Sequence, residues 1–269
     1  MNGAIFIETL KRNWRQMFYW GIGLGFLGFY IVSIVRDVDT LKQYQDIIGN
    51  KLPPAVMQAM GISDMAALAT PEGFIALGFI LYAMILLLVY AVLSGMNITA
   101  NEEDDGSMDV LLTQPVARWR VVTEKYAAYG LLSGGIILVS YLGLLAGRLA
   151  SPLDFSMGRL MMTSIPLTLG VWFIIAATAA ANTFFRRKST ATVVIISFIV
   201  VSYFLNVIGN AASTTAAGAL KDLSFFQYMN VQGVVQHGLV FTSLLILVVA
   251  TAVMFGLSVV LFERRDVGV

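Results

Sequence analysis

Six long stretches of this chain contain no ionisable residue. They run over about 17–35, 74–98, 126–147, 160–184, 191–209 and 239–262, and none holds an Asp, Glu, Lys, Arg or His. An uncharged apolar run of that length is a membrane span before it is anything else, because a helix needs about 20 such residues to cross a hydrocarbon core of about 30 Å. In lipid every backbone polar group must be satisfied within the segment, so helix is the form such runs take. The expected fold is therefore an all-α integral membrane protein of six transmembrane helices in one domain over residues 1–269. Composition agrees: 58% of residues are hydrophobic and only 12% charged, half the charge of a soluble domain.

The polar segments divide unequally. Residues 1–16 precede any span, and Gly3, Ile7, Leu10, Trp14 and Met17 recur at alternating steps of four and three. Glu8, Lys11, Arg12 and Arg15 lie largely off that stripe, which predicts an amphipathic interfacial helix in the headgroup plane. The first span is longer than a signal-peptide core and no small-x-small site follows it, so it reads as a retained span. Gly21, Gly25 and Gly28 leave a smooth strip on it, a candidate contact with a second subunit. A polar loop over 36–72 is broken by Pro53-Pro54, and a short helix is expected around Leu52, Val56, Met57, Met60 and Ile62. Between the fifth and sixth spans, the aromatics of Leu223–Tyr228 predict an interfacial or re-entrant helix.

Orientation follows from the cations. With both termini on one side, that side holds eleven of the 17 Lys and Arg residues. The positive-inside rule then puts both termini in the cytoplasm of a cell-membrane protein, together with the insert at 99–125. A net charge of +1 offers no basic field for nucleic acid, and the chain has no cysteine for thiol chemistry or a thiolate metal site. His237 is the only histidine and makes no metal site alone. The apolar faces imply lipid as a partner.

The empty spans also constrain mechanism. Ion-driven pumps keep ionisable groups within the membrane to bind the coupling ion, and this chain has none there. It has no phosphate-binding Gly-x-x-x-x-Gly-Lys-Ser/Thr either, so no nucleotide cofactor of its own is expected. Energy for uphill transport has to enter from outside the bilayer, and the 99–125 insert is the handle. Within it Asp104 or Asp105 is suited to N-cap a short helix, Met108, Leu111 and Leu112 share one face, and Pro115 ends it. A helix of about two turns cannot bury that apolar knob against itself.

The pattern Glu102-x-x-x-Gly106-Ser107-x-x-x-Leu111-Leu112-x-x-Pro115-Val116-x-Arg118 resembles the cytoplasmic loop of type-2 ABC transporter permeases. The six-span layout, the N-terminal helix and the Phe262–Asp266 ending resemble the same family. The resemblance implies a coupling helix at about Gly106–Leu112 docking on a separate ATP-binding subunit, with Glu102, Glu103, Gly106, Ser107, Met108, Leu111, Leu112, Pro115 and Arg118 as the coupling residues. It implies ATP-Mg bound by that partner, a second permease in a homo- or heterodimer, a substrate route between the two, and export. Many relatives interleave arginine before the glycine, whereas Glu102 to Asp105 here are all acidic.

Two other classes stand beside an exporter permease. A passive channel or anchor subunit also needs no ion relay. An intramembrane protease of the CAAX type carries a Glu-Glu pair, but its pattern needs Arg four residues after the second Glu and further histidines. Position 107 is Ser107, and only His237 exists.

Overall fold

A computed structural model describes residues 3–35, 38–51, 53, 56–57, 70–100, 117–185 and 187–264. Among these residues the chain is helical, without a strand. Six helices are long and apolar enough to span a membrane: α1 (Ala4–Ile34), α3 (Pro71–Met96), α4 (Arg118–Ala150), α5 (Met157–Phe184), α6 (Lys188–Ala211) and α9 (Phe241–Glu263). Between α1 and α3 lies α2 (Val38–Lys51), and between α6 and α9 lie the short helices α7 (Phe225–Met229) and α8 (Val231–His237). The protein is thus an all-α membrane protein with six candidate spans.

Two boundaries differ from the sequence reading. Residues 4–16 are not a separate element, because α1 runs without interruption from Ala4 to Ile34. No proline or glycine breaks it before Gly21; Thr9 and Asn13 are buried on one face of these turns, while Ile7, Glu8, Lys11, Arg12, Trp14 and Arg15 are exposed. At 1.5 Å per residue its 31 residues reach about 46 Å, three turns beyond a hydrocarbon core. Likewise α4 begins at Arg118, not at Tyr126, and is 33 residues long. The helix expected around residues 52–62 lies mostly outside the described residues, and α2, which buries Leu41, takes up part of what was read as loop.

The glycine strip of α1 has a partner in the same chain. α1 and α4 lie side by side and parallel, with Met17 against Gly135, Gly21 against Val139, Gly25 against Gly143, and Phe29 and Val32 against Gly147. Any Cβ at Gly143 would overlap the backbone of Gly25, so the helices touch main chain to main chain. Gly28 faces Leu144 and the ring of Phe79 on α3. The surface expected to meet a second subunit is therefore filled internally.

The core is α5. Across their most apolar 18 residues α3 and α5 are 61% buried, whereas α6 and α9 are 17% buried. Small residues make this centre possible: Ala176, Ala177, Ala179 and Ala180 are all buried. A Cβ on Gly95 of α3 would meet the Thr178 side chain and the Ile175 carbonyl of α5. Polar side chains fasten α4 to α5: Tyr126 donates to the Trp172 carbonyl at 3.1 Å, and Trp172 Nε1 lies 3.2 Å from both the Gly130 carbonyl and Ser133 Oγ. At the opposite end Tyr141 bonds the Leu160 carbonyl at 3.0 Å and the Thr163 hydroxyl.

Two irregularities mark α3 and the α6–α9 connection. Ala76–Ile80 forms a π-turn inside α3. After α6 the chain makes a 3-10 turn at Ala216–Leu223 and folds back through α7, where Phe225, Phe226 and Met229 are buried. The Ser202 hydroxyl accepts from the Phe225 amide at 3.1 Å and pairs with Ser224 Oγ at 3.0 Å. Phe173, Phe198, Phe225 and Phe226 then stack into one aromatic cluster. The helix expected from Leu223–Tyr228 is thus present and packed inward.

Candidate functional site at the foot of α4

The first turns of α4 join three helix ends. Glu124 is half-buried, and its carboxylate accepts from the amides of Gly3, Ile5 and Phe6 at 3.3, 3.1 and 3.1 Å. Those amides open α1 and have no partner within that helix. Gly3 stands at the N-cap with φ 84° and has no side chain to offer. A carboxylate borrowed from α4 therefore satisfies them, and its charge sits at the positive end of the α1 dipole. Thr9 and Asn13 continue the seam, each bonding the carbonyl four residues before it.

Lys125, the next residue, points elsewhere. It is 3% exposed, and its Nζ donates to the Ile98 carbonyl at 3.0 Å. That carbonyl lies just past the end of α3, where the helix dipole favours a cation. Ile98, Thr99 and Ala100 are buried around it. Two consecutive side chains on α4 thus hold the start of α1 and the end of α3. A buried lysine with a carbonyl partner is a costly group to place, and this one closes the two ends of the 101–116 segment.

That segment contains most of the coupling residues read from the sequence. Glu102, Glu103, Gly106, Ser107, Met108, Leu111, Leu112 and Pro115 lie outside the described residues. Arg118 is described and begins α4, directly after Ala117 as N-cap. Trp119 is 43% exposed with the Arg120 guanidinium 5.4 Å from its ring, as an interfacial anchor would be. Gly21, Gly25 and Gly28 are on the α1–α4 seam, which ends at Glu124 and so leads away from the foot toward the other end of the molecule.

Sequence reasoning missed Glu124 and Lys125 as a pair. Both fall at the end of the insert read over 99–125, since they precede the apolar run that starts at Tyr126. The usable signal was their adjacency: neighbours on a helix diverge by about 100°, so opposite charges there serve two different partners. Of the side-chain amides near span ends, Asn182 is 3% exposed inside α5, while Asn206 accepts from Asn210 on its own helix at 3.1 Å.

Six helices of membrane-spanning length, two of whose ends are tied to the first turns of α4, describe a polytopic membrane protein. The family comparison is specific: the model for the ABC-2 family transporter protein matches residues 4–267, nearly the whole chain. The chain belongs to that family, and it is a permease subunit of an ABC transporter. No curated protein matches it.

Proposed function

We propose that this chain is the transmembrane half of an ATP-driven exporter, coupled through residues 102–118 to a separate ATP-binding subunit. The observation that carries the reading is the double tie of Glu124 and Lys125. It makes the base of the insert one rigid piece with the starts of α1 and α4 and the end of α3. A push delivered to the insert is then delivered to three helices at once. A passive channel has no use for such a lever.

In this mechanism the partner binds ATP-Mg, and Met108, Leu111 and Leu112 insert into its surface. Burying each large side chain contributes about 1.5–3 kcal/mol. Closure of two ATPase subunits draws two permeases together at their inner ends. The second permease, identical or homologous, meets the apolar faces of α6 or α9, which the chain leaves largely uncovered. Residues on those faces that meet no subunit meet lipid. Both termini are cytoplasmic, on the side richer in Lys and Arg.

The test is a pull-down from mild detergent with Leu111→Asp and Leu112→Asp. Each buries a carboxylate in the docking face, so the ATPase should be lost from the preparation and transport should stop. Retention of both the ATPase and transport rules out coupling through this segment. Transport that persists after deletion of the ATPase gene means a passive channel.

A further inference from the structure

A cavity of about 450 Å³ opens at the end of the molecule opposite the foot, between α3, the end of α6, and α7 with α8. That volume is within the range of small-molecule sites. Its walls differ in chemistry. From α3 come only Ala76, Leu81 and Met84. From α6 come Asn206 and Asn210, and from α7 and α8 come Gln227, Gln232 and Gln236. Among the described lining residues Lys221 is the one Lys or Arg, His237 lines the cavity too, and none is a carboxylate.

These polar groups are largely unspent. Asn206 and Asn210 share one hydrogen bond. Among the described residues, the side-chain amides of Gln227, Gln232 and Gln236 bond to nothing, and no acid pairs with Lys221. Side-chain amides both donate and accept, which suits hydroxyl groups, and Lys221 suits one negative charge. The apolar wall continues along α3 to Met84, about 20 Å from Pro71 by helical rise, well below the ends of the spans. The site therefore fits an amphiphile better than a free solute.

Backbone geometry is unusual at the same place. The π-turn at Ala76–Ile80 adds a residue to α3 where it borders the cavity, and such bulges often mark functional sites. Asn230, which also lines it, has φ 28°, the one non-glycine residue with positive φ among the described residues. It ends α7 and caps α8, its Oδ1 accepting from the Gly233 amide at 3.1 Å.

We infer that this cavity binds the headgroup of an anionic, hydroxylated amphiphile, with Lys221 on the acidic group, the glutamines on the hydroxyls and α3 along the start of the tail. The inference does not depend on ATP coupling, and it is tested on the permease without ATPase or nucleotide.

The experiment is native mass spectrometry of the full chain in mild detergent, with phosphatidylglycerol and phosphatidylcholine supplied at equal concentration. The unaltered protein should retain phosphatidylglycerol by roughly fivefold over phosphatidylcholine, the scale of a charge-assisted contact. Lys221→Gln should bring the ratio close to equality, and Lys221→Arg should keep it. Gln232→Leu with Gln236→Leu should cut phosphatidylglycerol retention by about tenfold. Free glycerol 1-phosphate at the same concentration should not displace the lipid. A preference that survives Lys221→Gln overturns the site. Displacement by glycerol phosphate overturns the amphiphile and leaves a phosphate site.

Discussion

Gly143 shows how much one missing atom decides in this protein. Its Cα lies on the backbone of Gly25, and no side chain can be placed between them. Without a hydrophobic force between helices in lipid, such close approach is what holds spans together. Gly134, about two and a half turns earlier on the same helix, faces open space. Gly143→Val should therefore lower stability by about 1–3 kcal/mol, the cost of overpacking, while Gly134→Ala should be neutral or better. Thermal melting in detergent separates the two, and equal melting temperatures would mean that α1 and α4 do not touch as described. The glycines were visible in the sequence as a strip. Their partner was not, because a small-x-x-x-small pattern says that a helix can approach closely but not which helix it approaches.

At the scale of elements, the foot of α4 is the feature with the most consequence. Glu124 and Lys125 are ordinary interfacial charges until the ends of α1 and α3 are placed beside them. Glu124→Ala removes the acceptor for the Ile5 and Phe6 amides, and losing a cap of this kind costs about 1–2 kcal/mol. Hydrogen exchange at those two amides should speed up about tenfold, with residues 97–100 unchanged. Lys125→Met should do the reverse, loosening 97–100 and leaving the start of α1 protected. If both variants loosen both sites, the two ties are one cooperative unit and not separate clamps. The helices themselves were legible because apolar runs of this length have one solution in lipid. Their ends at the foot of α4 were not. The helix over 4–16 was legible from its stripe, but not that it runs unbroken into the first span, nor that 118–125 extends α4, because hydropathy carries no information about neighbours. The π-turn of α3 left no trace in the residue pattern for the same reason.

For the whole molecule, the proposed sidedness has a clean test because the chain has no cysteine. Thr214 and Ser189 are both exposed, and they lie at opposite ends of α6. An impermeant maleimide added to intact cells should label Thr214→Cys and spare Ser189→Cys. The opposite pattern would place the insert and its foot outside the cell, where no ATPase could reach them. The cavity under α7 and α8 would then open inward. Only the contrast between the two positions matters, so partial labelling of either does not blur the result.

Local composition was enough to establish six apolar helices of membrane-spanning length, and that the expected spans hold no Asp, Glu, Lys, Arg or His. Each of these depends on residues near one another in the chain, or on residue types that are simply missing. Three matters needed the packed molecule: that α1 spends its glycines on α4, that neighbouring charges on α4 fasten two different helix ends, and that amides from separate segments gather around Lys221. Each joins positions far apart in sequence, and contact energies of that kind arise only once the helices have chosen their neighbours.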